Sequence, residues 1–155
     1  MSFRKLLIAN RGEIAIRIAR AAGETGLATV AIHPSDDALS LHVRAADEPY
    51  EIPGQGARAY LDIEAIIAAA KATGCDALHP GYGFLSENAL LARRCAEQGI
   101  VFVGPSPAAL DLLATRRRPR RWPEAAACRL LKAPRGRLRW SKQKRSLRRS
   151  ARMPL

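Results

Sequence analysis

"KLLIANRGEIAIRIARAAGETG", residues 5–26, decides the fold. Residues 5–9 are a short apolar run that stops at Asn10, Arg11 and Gly12, the pattern of a strand buried on both faces. The next stretch is ambiguous taken alone, because Ile14, Ile16 and Ile18 alternate as they would in a strand. Its alanine-rich length, Glu13 at the start and Gly26 after the end favour a helix. On that helix Ile14, Ile18, Ala21 and Ala22 share one face, while Arg17, Arg20 and Glu24 share another. A buried strand, a short loop and a helix of this length form the first half of a parallel β-α-β unit.

The alternation of strand and helix continues along the chain. Residues 27–33 (LATVAIH) read as a second strand closed by Pro34, 48–52 (EPYEI) as a poorer third, 76–80 (DALHP) as a fourth and 100–104 (IVFVG) as a fifth. Residues 37–46 suit a short helix, and 53–60 (PGQGARAY) a loop. The segment 61–74 is the clearest helix, with Asp62 as its cap, Ile63, Ile66, Ile67 and Ala70 as its stripe, and Gly74 as its stop. Ser86 is the expected cap of the next helix, with Glu87 in its first turn and Leu85 and Leu90 spaced as a hydrophobic staple. A last helix begins in SPAALDLL (106–113) and should run past Leu113. The predicted fold is a doubly wound, mostly parallel Rossmann-like α/β sheet with right-handed crossovers. Ligands of such folds bind beyond the carboxyl ends of the strands, which here carry ANRGE (9–13), IHPSDD (32–37), HPGYGFLSEN (79–88) and VGPS (103–106).

The net charge of +12 over 155 residues would ordinarily point to a polyanion partner, but it is unevenly placed. Residues 1–113 hold 10 Lys/Arg and 13 Asp/Glu, whereas 114–155 hold 16 Lys/Arg and one acid, Glu124. The first part is a mildly acidic domain long enough to bury a core. Cys75, Cys95 and Cys128 show neither close pairing nor metal-ligand spacing, which suits a reduced, cytoplasmic setting. The apolar run near the start is too short for a signal peptide or a membrane span, so no membrane partner is expected.

Candidate sites are few. The loop Asn10-Arg11-Gly12-Glu13 has one glycine, and an acid stands where a pyrophosphate would sit. That argues against a dinucleotide site, although Asp36 or Asp37 could bind a ribose. Pro80, Gly81 and Gly83 fix a tight turn that would display His79, Tyr82 and Phe84, or else plug the core with Phe84 and Leu85. By spacing alone Arg17, Arg20 and Glu24 form a solvated helix face. His33 and His42 lack partners at metal-ligand spacing. No nucleophile–base pair and no metal-binding carboxylate pair stands out.

KLLIANRGEIAIRIARAA and HPGYGFLSENA, about seventy residues apart and followed by FVGPS, together resemble the start of biotin carboxylase. This is the ATP-grasp component of carboxylases acting on acetyl-, propionyl- and methylcrotonyl-CoA and on pyruvate. The resemblance covers residues 3–113 and implies the Rossmann-like domain that precedes the ATP-grasp. It implies an enzyme, a carbon–nitrogen ligase, that carboxylates a ureido nitrogen of biotin with MgATP and bicarbonate. It further implies a homodimer served by a biotin carboxyl carrier and a carboxyltransferase that selects the final acceptor. Tyr82 and Gly83 match the loop bordering the biotin pocket, and Arg17, Arg20 and Glu24 match dimer-interface positions. Asn10, Arg11, Gly12 and Glu13, with His79 and Gly81, match signature residues of structural role. The family's glycine-rich loop, lysines, metal-binding glutamates and bicarbonate-side arginine lie in later segments, none of which is within these 155 residues. No catalytic residue, metal ligand or bound cofactor is therefore expected of this chain alone.

After FVGPS and a short helix the family reads Gly-Asp-Lys, whereas this chain reads Ala114-Thr115-Arg116. The codons GGC GAC AAG followed by G, with the leading G removed, become GCG ACA AGG, which encode Ala-Thr-Arg. Off-frame GC-rich DNA then yields Arg, Pro and Ala in excess, as residues 114–155 do. The expectation is a frameshift-derived, disordered basic tail. The alternative is a functional nucleic-acid arm in which Trp122 and Trp140 stack on bases while arginines track phosphates.

Overall fold

The computed structural model describes residues 3–116. Five parallel strands form one sheet: β1 (Lys5–Ile8), β2 (Ala28–His33), β3 (Glu48–Glu51), β4 (Ala77–His79) and β5 (Val101–Phe102), in the order β3-β2-β1-β4-β5. The helices are α1 (Gly12–Glu24), α2 (Leu41–Ala45), α3 (Gly56–Ala59), α4 (Ile63–Ala72), α5 (Ala89–Glu97) and α6 (Pro107–Arg116), with a 3-10 turn at Ser35–Asp37. This is the expected doubly wound α/β architecture, and every strand pairing within it is parallel.

The strands read as unbroken apolar runs because both sheet faces are covered. Successive side chains point to opposite faces. Leu7, Val30, Ile32 and Leu78 pack with Ile66, Ile67, Ala69 and Ala70 of α4 and with Leu91 and Cys95 of α5. Leu6, Ile8 and Ala77 pack instead toward α1, against Ala15, Ala19 and Ala22. The buried stripe of α1 is therefore turned from the expected one: Ile14 and Ile18 are half-buried and Ala21 is exposed. Alanines at i, i+4 and i+7 let α1 lie close over Ile8, and the bulkier isoleucines take the margins. The α4 stripe is as expected, with Asp62 accepting from the Ala65 N–H as its cap.

Three local expectations are corrected. Ser86 does not cap α5; Asn88 does, accepting from the N–H groups of Leu90 and Leu91. Ser86 and Asn88 donate backbone bonds to Gly83 and Leu85, so consecutive turns occupy this stretch and the helix starts later. Leu85 is buried in the core while Leu90 is half exposed, so they form no staple across this start. The segment expected to be a loop at 53–60 contains the single turn α3, whose Gly56 N–H donates to the Asp36 carboxylate. That partner lies 20 residues away and leaves no local signal.

The last helix passes Leu113 and is described as far as Arg116. The remainder of the basic segment, residues 117–155, lies outside the described residues, and with it Trp122, Trp140, Cys128 and the disorder expected there. No helix among the described residues is long and apolar enough to cross a membrane.

The cap assignment is tested by paired substitutions read by urea unfolding. Asn88→Ala should cost about 1 kcal/mol, and Ser86→Ala no more than about 0.5 kcal/mol.

Candidate functional site

Strands β1 and β4 are neighbours at the centre of the sheet, and the chain leaves them in opposite directions, toward β2 and toward β5. The crevice between their carboxyl ends is where folds of this kind place ligands. The two loops that follow are joined by one side chain. Asn10 is 1% exposed, and its Nδ2 donates to the carbonyls of Pro80 (2.8 Å) and Tyr82 (3.0 Å). Its Oδ1 accepts the Arg11 N–H at 2.9 Å. Gly81 passes directly over this amide: a Cβ there would lie 2.5 Å from Asn10 Nδ2, and its φ is +69°. Close approach and left-handed backbone both require glycine.

His79 is not displayed as expected. It is half-buried, and its Nδ1 accepts the Gly81 N–H at 2.9 Å, which requires that nitrogen to be unprotonated. Burial holds its pKa below the ordinary histidine value. Tyr82, by contrast, is 79% exposed, and Gly83 has open space beside it. Phe84 is partly exposed and stacks on Tyr60 with ring centres 5.6 Å apart. Leu85 fills the core.

Tyr60 belongs to a polar cluster that the sequence reading missed. Its hydroxyl donates to Asp37 Oδ2 at 2.9 Å and lies 3.3 Å from His42 Nε2. Asp37 also pairs with Arg11 Nε at 3.0 Å and accepts from the Ser40 hydroxyl. Burial works against the charged carboxylate, but the bonds from Ser40, Tyr60 and Arg11 together outweigh it and hold Asp37 below the usual range. Burial and the adjacent carboxylate push the Tyr60 phenol well up, and burial pushes His42 down. Asp36 accepts the Gly56 N–H at an exposed position and Asp37 belongs to this cluster, so both acids considered for a ribose already have partners within the chain. His33 is also turned inward, its Nδ1 3.0 Å from the Pro34 carbonyl.

Arg17, Arg20 and Glu24 are exposed on α1, and Arg17 pairs with Glu13 at 3.5 Å. The helix N-terminus faces the carboxyl edge of the sheet, so Glu24 lies at the opposite end of a 13-residue helix, about 20 Å away. Among the described residues no group of three His, Cys, Asp or Glu is placed to hold a metal ion.

Residues 2–110 match the family model described as the N-terminal domain of biotin carboxylase. The chain belongs to this family. A pyruvate carboxylase from Staphylococcus aureus is 57% identical over 111 residues, 70% of this chain and 10% of that protein. A biotin carboxylase from Nostoc sp. is 54% identical over 73% of this chain and 26% of its own length. Among solved structures, the biotin carboxylase domain of a single-chain bacterial carboxylase is similar at a TM-score of 0.70 and 54% identity, over 72% of this chain and 26% of that one. The corresponding domain of a thermophilic 2-oxoglutarate carboxylase, bound to bicarbonate, is similar at a TM-score of 0.71 and 46% identity, over 74% and 26%. The chain thus spans about a quarter of the biotin carboxylases it matches and about a tenth of the pyruvate carboxylases.

Two measurements test how this biotin carboxylase N-terminal domain builds its crevice. Gly83→Ala, with space but a left-handed φ, should cost about 1 kcal/mol; Gly81→Ala adds collision with Asn10 and should cost at least about 2 kcal/mol more in urea unfolding. His79 and His42 bind protons more weakly folded than unfolded. Their contribution is therefore complete above about pH 6.5 and declines as pH falls toward the depressed folded values, so the urea midpoint should be lower at pH 5.5 than at pH 7.5.

Proposed function

We propose that residues 1–113 are the opening domain of a biotin carboxylase, the enzyme that carboxylates a ureido nitrogen of biotin with MgATP and bicarbonate. The supporting observation is the Asn10 amide, which ties the two family motifs into one crevice and leaves Tyr82 and Gly83 facing outward. In this reading Tyr82 and Gly83 border the biotin pocket. They offer a flat aromatic face beside a stretch of backbone without a side chain, which lets a ring approach closely. Arg17, Arg20 and Glu24 form part of a two-fold interface, where opposite charges on the same helix pair across the axis. The working partners are a biotin carboxyl carrier and a carboxyltransferase, in a cytoplasmic setting.

The described residues do not fit MgATP. The β1–α1 loop places Glu13 in the first helical turn, the acids after β2 are engaged, and among the described residues no group of three His, Cys, Asp or Glu is placed to hold a metal. Phosphoryl transfer needs positioned cations and metal-holding carboxylates. In this proposal the chain is inactive by itself, because the family resemblance assigns the catalytic groups to later segments.

The basic segment from residue 114 is read here as a frameshift product, supported by the register that turns Gly-Asp-Lys into Ala114-Thr115-Arg116 and by the abrupt change in charge. Sequencing the coding DNA tests it: another frame after codon 113 should continue as Gly-Asp-Lys and later encode a glycine-rich loop. If every other frame closes at once, the tail is a genuine arm. The arm reading predicts salt-sensitive nucleic-acid binding that is lost on deleting 114–155 and has a preference beyond bulk charge.

The 155-residue chain should show no bicarbonate-dependent ATP turnover. Turnover that Tyr82→Ala abolishes would overturn the assignment of the chemistry to later segments.

A further inference from the structure

The loop carrying Tyr82 and Gly83 is held on one side by Asn10 and on the other by an aromatic contact that the reading above does not use. Among the described residues, Phe84 is the one non-glycine residue with a positive φ, at +40°. A bulky residue in this region is strained by about 1–3 kcal/mol and persists where its surroundings over-determine it. The surroundings here are Tyr60, fully buried, whose ring stacks on Phe84 at 29° between planes.

Tyr60 is itself fixed. It sits at the end of α3, in the main core cluster with Leu85, and its hydroxyl is bonded to Asp37. Asp37 also holds Arg11, whose guanidinium carbon lies 5.8 Å from the centre of the Tyr60 ring. The backbone of the β4 loop is thus gripped between the end of β1 and the segment before α4.

We propose that Tyr60 is a positioning residue for the Tyr82–Gly83 loop, acting through the ring of Phe84 and seated by the burial of its own ring in the main core cluster. That this loop faces biotin rests on the function proposed above; that Tyr60 sets its shape does not. Tyr60 touches no reacting group. Its ring face holds Phe84 in the left-handed conformation, and Phe84 fixes the exit of the turn whose apex presents Tyr82 and Gly83. With Asn10 holding the entry, the crevice wall is pre-formed rather than ordered at the cost of binding energy.

The experiment is amide hydrogen exchange on the full chain, comparing the Gly81 and Ser86 amides with those of Leu7 and Leu78 in the central strands. The Gly81 amide is bonded to His79 Nδ1 and the Ser86 amide to the Gly83 carbonyl, so both report opening of this turn. Tyr60→Leu and Phe84→Leu should speed the two loop amides about tenfold relative to the strand amides. The ring-retaining variants Tyr60→Phe and Phe84→Tyr should stay within about threefold of the parent. The ring-current shifts of the Phe84 protons should collapse in Tyr60→Leu and survive in Tyr60→Phe. Phe84 is partly exposed, so Phe84→Leu decides the matter if Tyr60→Leu does not fold. Unchanged loop exchange in Phe84→Leu, or equal acceleration of loop and strand amides, would overturn the proposal. The exchange pattern is read without biotin and reports the brace alone, so its failure would count against Tyr60 and Phe84 and not against the biotin pocket.

Discussion

The Asn10 side-chain amide is the contact on which the rest of the crevice depends. A buried amide must find partners for both its donors and its acceptor, or lose a few kcal/mol of solvation without return. Asn10 finds them on two loops that are about seventy residues apart in sequence and adjacent in the sheet. Because the amide sits under Gly81, the loop cannot carry a side chain at that point, and the next residue is thrown outward. The exposure of Tyr82 is therefore a consequence of satisfying Asn10, not a separate feature.

The sheet makes this possible. Alternate residues of β1 and β4 feed two different helical layers, so neither strand has a polar face on which to slip. A one-residue shift would move Leu7 and Leu78 to the α1 side and Ile8 to the α4 side, and would pull Asn10 off the carbonyls it holds. The alanine stripe of α1 adds a second constraint, because the close packing over Ile8 leaves little room for larger side chains at Ala15 or Ala19.

The misread features have two causes, one local and one long-range. Asn88 rather than Ser86 caps α5 because the backbone from Gly83 to Asn88 is already committed to turns that follow from Phe84's conformation. The turn α3 forms where Asp36 supplies a carboxylate to Gly56, and Tyr60 acquires its role from Asp37, His42 and Phe84. For α3 and Tyr60 the deciding partners lie about twenty residues away in the chain, so local propensity had nothing to register. His79 is held by a near neighbour instead: its Nδ1 accepts the Gly81 N–H two residues on.

What the sequence determined by itself is the layered order of strands and helices, because the apolar runs of residues 5–9, 27–33 and 76–80 and the helical stripe of 63–70 encode burial through periodicity, and periodicity is local. It also carried the family, in the paired motifs around Asn10 and Gly81, and the change in charge after residue 113. The tertiary structure alone decided which face of α1 is buried, which residue caps α5, and that Asp37, Tyr60, Arg11 and Phe84 form one cluster beside the crevice. Those outcomes are set by distances across the sheet and by the need of buried polar groups for partners, and no window of neighbouring residues contains either.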